Sequence, residues 1–326
     1  MNSIVFMEIQ RITPPGADSS QVAAYFRRQG VGKAPIPIAH SPPPAKGWHA
    51  IQDPPPLATH SMILDATCQL DYQTTKEVTA IFMLRPRSGW AQWIMREEFQ
   101  IRPQVPVVEF TDVYGNLCQR MVMPQGNFHL SVQYRVQVSD LVDEDLCAPL
   151  LNVQSLPPDL LHYLLPSRYC QSDQLSTLAH SIVGHLPTDF GRVATLRSWV
   201  HKNITYTPGA SDSSTSAVDT TNSKRGVCRD LAHLGIALCR AINVPARMVV
   251  GFLHQLQPMD LHAWFEAYIG GRWFTFDATE PVTRGNRIVV AYGRDAADVA
   301  LATIFGEFIM QNMHVTVTAP SLSGGV

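Results

Sequence analysis

Apolar and more polar residues alternate from Met62 onward: Met62, Leu64, Ala66, Cys68, Leu70 and Tyr72 share one face of a half-buried strand. Val78 to Leu84, Phe99 to Ile101 and Val105 to Phe110 read as further strands. Asp112-Val113-Tyr114-Gly115-Asn116 reads as a turn, and Phe128, Leu130, Val132, Tyr134, Val136 and Val138 alternate again. Short strands and turns at this spacing predict an antiparallel β-sandwich. The stretch gathers no catalytic set and reads as a scaffold or recognition domain, with Trp90 and Trp93 packing in a loop and at an edge.

The period changes after Pro157-Pro158. A short helix is expected at Asp159–Leu165. A longer one starts at Ser172 as N-cap, with Leu175, Leu178, Ala179, Ile182 and Leu186 on one face. Another spans about Asp189 to Asn203, with Val193, Leu196 and Val200 inward. Leu231, Leu234, Leu238 and Ile242 mark a third apolar stripe, closed by Asn243 and Pro245. Between these helices, Thr207 to Lys224 is rich in Ser, Thr, Gly and Asp and predicts a long irregular loop bordering a cleft. Strands follow at Val244–Leu253 and Arg287–Tyr292, a short helix at Asp295–Thr303, and a closing strand at Phe308–Thr318. Helices packed on a sheet make this an α+β domain of papain-like type.

The N-terminal 61 residues differ from the rest. They hold Pro14-Pro15, Pro35, Pro37, Pro42-Pro43-Pro44 and Pro54-Pro55-Pro56 and no alternating pattern. Such a segment buries too little apolar surface to offset the entropy of ordering it. The expected organisation is a disordered extension over 1–61, a β domain over 62–155, a catalytic domain over 156–318 and a frayed tail over 319–326. The extension is expected to add nothing to stability or activity, with Met62 a candidate start of translation.

A length of 326 residues suits about two domains, and 45% hydrophobic residues can build a sizeable core. A net charge of −2 supplies no electrostatic attraction for nucleic acid or an anionic membrane. The six cysteines form no Cys-x-x-Cys pair, which argues against a disulfide framework or zinc ribbon. Neither a secretory leader pattern nor an apolar run of about 20 residues is evident. A reducing cytoplasm fits these features and would preserve a free catalytic thiol.

The candidate chemistry centres on Gly226-Val227-Cys228-Arg229-Asp230-Leu231-Ala232-His233. Gly226 frees the backbone for a tight turn, and Cys228 falls at the start of the third helix, where unpaired N–H groups and the helix dipole favour a thiolate. Downstream, the runs His262–Ile269 and Arg272–Thr279 flank Gly270-Gly271, a strong two-residue hairpin signal. With Ile269 opposite Arg272, Trp264 faces Asp277, and His262 and Asp277 become diagonal neighbours on one face. Ala263, Phe265, Ala267, Ile269, Phe274, Phe276 and Ala278 form the opposite, core face. A thiol, an imidazole and an orienting carboxylate make a nucleophilic set. Cys228 attacks a carbonyl, His262 moves the proton, Asp277 holds the imidazole, and the Cys228 N–H donates to the oxyanion. Tyr206 is a second candidate oxyanion donor. His233, about 140° round the helix from Cys228, points away from the set. His254 is the rival base but lacks a paired acid, and Cys239 reads as core. The set requires no cofactor or metal.

Gly-Val-Cys-Arg-Asp-Leu-Ala-His, His-Ala-Trp-Phe-Glu and Phe-Asp-Ala-Thr, in this order, resemble the motifs of the transglutaminase-like superfamily. Tyr-Thr-Pro-Gly-Ala-Ser-Asp upstream and Ala-Tyr-Gly-Arg-Asp-Ala-Ala-Asp downstream are similar to its bacterial branch, and the resemblance runs from about Met62 to Thr318. It implies an N-terminal β domain, a papain-like core and acyl transfer through a thioester on a peptide or protein substrate. The animal cross-linking enzymes usually carry Trp after the nucleophile, where this chain has Arg229. The zinc-binding cysteine pairs of peptide:N-glycanases are absent. Hydrolysis, as in a cysteine protease, is therefore placed ahead of glutamine transamidation. A non-catalytic binding module of the same fold is the third reading.

Overall fold

The computed structural model describes residues 9–11, 60–89 and 92–320. Its strands are β1 (Ile9–Arg11), β2 (Ser61–Thr74), β3 (Val78–Arg85), β4 (Gln92–Arg102), β5 (Val107–Thr111), β6 (Leu117–Met123) and β7 (Gly126–Ser139). Four helices and two short strands follow: α1 (Ser176–Val183), α2 (Phe190–Asn203), β8 (Thr205–Tyr206), α3 (Ala217–Ser223), β9 (Arg225–Gly226) and α4 (Cys228–Ala241). The chain closes with β10 (Ala246–Leu253), β11 (Leu261–Ile269), β12 (Arg272–Phe276), β13 (Arg287–Gly293), β14 (Ala302–Phe305) and β15 (Phe308–Thr318).

Two sheets, ordered β1-β14-β3-β6-β5 and β15-β2-β7-β4, face each other as the expected sandwich. The alternating residues of β2 and β7 point between them, and Tyr72 meets Phe82 with ring centroids 5.8 Å apart. The Asp112 turn has a local cause: its carboxylate accepts from the N–H groups of Tyr114 at 2.9 Å and Asn116 at 2.8 Å. Residues 302–318, expected within the catalytic segment, supply two sandwich strands instead: β14 pairs with β3 and β15 with β2. The short helix expected at Asp295–Thr303 is turn and strand, because Thr303 enters that ladder opposite Ile81.

Of the N-terminal extension, Ile9–Arg11 runs parallel to Ala302–Ile304 at the edge of the first sheet and Ser61 already begins β2, while residues 1–8 and 12–59 lie outside the described residues, as does Trp90. Trp93 lies on β4 and is 48% exposed. Among the described residues, no helix is long and apolar enough to cross a membrane.

The second unit is built on the antiparallel sheet β12-β11-β10-β13, with α4 packed against it. The hairpin register is the expected one, Ile269 opposite Arg272, with Gly270 and Gly271 at φ of 57° and 91°. Both values lie in the left-handed region that a type I′ turn needs. Asp189 caps α2 by accepting from the Gly191 N–H at 2.9 Å. Ser172 does not cap α1; it lies buried in a 3₁₀ turn, and the helix begins at Ser176. The stretch expected as one irregular loop contains α3. There Ser216 Oγ accepts from the Asp219 N–H while Asp219 Oδ2 accepts from the Ser216 N–H at 3.0 Å, a capping box.

The sandwich docks on the outer edge of β13 through two buried side-chain amides. Gln92 exchanges two hydrogen bonds with the Val289 backbone, both 2.8 Å, and Asn116 does the same with Tyr292 at 2.7 and 2.9 Å. Each amide imitates a neighbouring strand and satisfies an edge that would otherwise be orphaned.

Candidate active site

Helix α4 is buried along nearly its whole length, on every side, so it is the core of the second unit rather than a one-faced helix on its surface. Its polar residues are matched by specific partners. Asp230 Oδ2 accepts from the Val227 N–H at 2.8 Å, closing the first turn. His233 stacks on Tyr169, ring centroids 5.0 Å apart, and accepts from the Ala296 N–H at 3.1 Å. Burial is the main force that pushes the His233 imidazole down to about 3, so it stays neutral, as expected of a packed histidine. Arg240 donates to the carbonyls of Leu165, Ala246 and Arg294.

The helix start brings Cys228 to His262 at the beginning of β11, where thiol and imidazole lie side by side. His262 Nε2 pairs with Asp277 Oδ2 at 2.7 Å, which leaves Nδ1 for the thiol. Asp277 lies just past β12 and is held from several sides: its Oδ1 accepts from Thr279 N–H at 2.9 Å and Thr279 Oγ1 at 2.6 Å. Its backbone carbonyl accepts from Arg197 Nε at 2.5 Å. Arg197 also donates to the carbonyls of Glu280 and Pro281, while His201 Nδ1 donates to the Ala278 carbonyl at 2.9 Å. Helix α2 therefore fixes the loop that carries the carboxylate.

Burial alone would push the His262 imidazole down; the Asp277 carboxylate and the Cys228 contact reverse this and hold it up at about 9. Burial likewise opposes ionisation of Asp277, yet the imidazole, Arg287 and Thr279 keep its carboxyl well below the usual range. The two shifts describe one coupled pair, with the charged forms favoured on both partners.

The face that carries His262 is not open as expected. Trp264 packs there with Val249, Val289 and Tyr292, and Arg247 pairs with Glu266 at 2.6 Å beneath the rings of Trp273 and Tyr292. Cys228 is 2% exposed, and the neighbouring Tyr206 is 43% exposed. The pairing of Tyr206 with Gly226 brings its phenol to the helix start, beside Cys228. The Cys228 N–H, expected as the oxyanion donor, opens the first turn of α4 next to that phenol. Burial raises the Tyr206 phenol further above its ordinary range, so it stays protonated.

Arg229, the residue after the nucleophile, pairs with Asp230 at 3.0 Å and donates to the Asp212 carbonyl at 2.6 Å. It fastens the 207–216 segment beside the thiol. Sequence reasoning missed this anchor, along with Arg197 and Arg287. The partners of Arg197 and Arg229 lie far along the chain, apart from the Arg229-Asp230 dipeptide itself, whereas Arg287 meets Asp277 across the short return between β12 and β13. Among the described residues, no three His, Cys, Asp or Glu side chains are placed to hold a metal ion.

Comparison with known proteins gives a consistent picture. Residues 176–278 match the transglutaminase-like superfamily, and residues 72–139 match the bacterial transglutaminase-like N-terminal region. A crystal structure of a candidate cysteine protease from Cytophaga hutchinsonii is 36% identical, with a TM-score of 0.76 over 82% of this chain and 93% of that one. An uncharacterized protein of Mycobacterium leprae is 34% identical over 111 residues, which cover 31% of this chain and 39% of the relative. An uncharacterized protein of Mycobacterium tuberculosis H37Rv is 34% identical over 119 residues, covering 32% of this chain and 38% of the relative. The chain thus matches about two fifths of the length of these curated relatives.

Proposed function

Because the chain belongs to the transglutaminase-like superfamily, we propose that it is a thiol-dependent acyl-transfer enzyme with Cys228 as nucleophile, His262 as proton carrier and Asp277 as the orienting acid. The observation that carries this reading is the buried relay in which His262 Nε2 meets Asp277 Oδ2 at 2.7 Å while the Cys228 thiol lies beside the same imidazole.

The thiol proton passes to His262 Nδ1, and the sulfur attacks the carbonyl carbon of a peptide or side-chain amide. The carbonyl π electrons move to oxygen, and the Cys228 N–H donates to that oxyanion. When the tetrahedral state collapses, the C–N bond breaks and the departing amine takes the proton from His262. The product is an acyl thioester on Cys228. Water, deprotonated by His262, then adds to the thioester; the C–S bond breaks, the acid leaves and the thiol is restored. An amine in place of water would give transamidation.

Hydrolysis is placed ahead because Arg229 stands where the cross-linking enzymes usually carry Trp, and because a candidate cysteine protease spans nearly the same fold. Incubation with peptide libraries, with and without a labelled primary amine, tests the assignment. Peptide cleavage without amine incorporation is expected, lost by roughly 10³-fold or more in Cys228→Ala. Equal turnover by that variant would refute the enzyme reading, and amine incorporation would select transamidation.

A further inference from the structure

A buried cation touches the relay from outside it. Arg287, the first residue of β13, donates from Nη2 to Asp277 Oδ2 at 2.8 Å. That is the oxygen that also meets His262 Nε2 at 2.7 Å. Arg287 Nε donates to the Arg284 carbonyl at 2.7 Å, and the guanidinium lies 4.9 Å from the centroid of the Trp264 ring. Trp264 in turn stacks beside His262, centroids 6.0 Å apart. Arg287 is 8% exposed, so its charge acts with little screening by water.

The charge count gives this contact a consequence. With Cys228 as thiolate, His262 as imidazolium and Asp277 ionised, the three groups sum to −1. Arg287 brings the buried set to zero, and a buried set without net charge is the less costly one. The guanidinium also attracts a thiolate and repels an imidazolium. We propose that Arg287 is a positioning residue that clamps Asp277 and, by neutralising it, moves the pH window of the Cys228–His262 ion pair to lower pH. The inference rests on the reading of Cys228 as nucleophile.

The other charges facing the relay do not duplicate this role. Arg197 on α2 reaches the backbone carbonyl of Asp277 rather than its carboxylate. Arg284 is paired with Glu280 at 2.7 Å, and Arg229 with Asp230 at 3.0 Å. Tyr206 on β8 is held protonated, with Asp260 and the relay itself acting in that direction beyond the effect of burial. His201 meets the Ala278 carbonyl.

Cys228 alkylation by iodoacetamide tests the proposal without a known substrate. The rate would be followed from pH 4 to 10 by peptide mass in a Cys147→Ser background, since Cys147 is the exposed cysteine. The background protein is expected to show two inflections, one as the ion pair forms and one as the imidazolium loses its proton. In R287Q both are expected to move up by about one pH unit, and in R287K, which keeps the charge, to stay within a few tenths of their original positions. A folded R287Q with unmoved inflections overturns the proposal. If R287Q gives no cooperative melt, R287K carries the test: unmoved inflections support the charge role, and a shift of a full unit overturns it. A background profile without an acid-side inflection overturns the nucleophile reading itself, whatever the Arg287 variants do.

Discussion

At the scale of the residue, the relay orders the expected damage. His262 would move protons in both half-reactions, whereas Asp277 would orient it and stabilise its charge. His262→Ala is therefore expected to cost roughly 10³-fold or more in turnover, and Asp277→Asn less but still severely. Initial rates on any cleaved peptide check the order, and an Asp277→Asn rate below that of His262→Ala would reverse the assignment. The same residues make a stability prediction. The folded imidazole is held at about 9, above the unfolded value of about 6.5. Between those values the native state binds more protons than the unfolded one, so stability falls as pH rises. Urea unfolding at pH 6.5 and 9 should show this decline, and His262→Ala should flatten it. An unchanged decline in that variant would assign it to another group.

At the scale of the element, the contact between α4 and the sheet depends on a missing side chain. A Cβ on Gly235 would come 2.4 Å from a ring carbon of Phe265 on β11, a fully buried side chain. Gly235→Ala would gain about 1 kcal/mol of helix propensity. Overpacking a close-fitted core costs about 1–3 kcal/mol, and here the ring must move as a rigid plate in a filled space. The clash should win, with a net loss of stability read as a lower urea midpoint. A higher midpoint would show that α4 can slide away from β11 without cost. Since Cys228 opens this helix and His262 opens that strand, the same shift should also slow Cys228 alkylation.

At the scale of the whole molecule, the sandwich and the second unit are joined at the edge of β13, the strand that begins with Arg287. Replacing Gln92 by Leu leaves the N–H and C=O of Val289 without partners, and Asn116→Leu does the same at Tyr292. An orphaned buried polar group costs about 1–3 kcal/mol. Each variant should lower the melting temperature by several degrees, and the pair should cost more than either alone. Calorimetry checks this, and two variants that melt with the parent protein would show that the edge is satisfied by water. A loss in both variants would make the β domain a support of the site at long range, since it contributes none of Cys228, His262 and Asp277.

How much of this was legible beforehand follows from the range of each interaction. The hairpin register was readable because Gly270-Gly271 and the alternation of two adjacent strands determine it locally, and that register alone made neighbours of His262 and Asp277. The start of α4 at Cys228 was readable from a turn glycine and a 3.6-residue stripe. The Ser216-x-x-Asp219 signal of α3 was present but was masked by the polar composition around it. What the sequence could not show are contacts between residues far apart along the chain. They include Gln92 with Val289, Arg197 with the Asp277 carbonyl, and the return of β14 and β15 to the sandwich. Periodicity reports which face of an element is apolar, not which distant element will cover it. The sequence therefore determined the elements and the chemistry they carry; only tertiary packing decided that both faces of β11 are buried, that Tyr206 lies beside the thiol and that Arg287 meets Asp277.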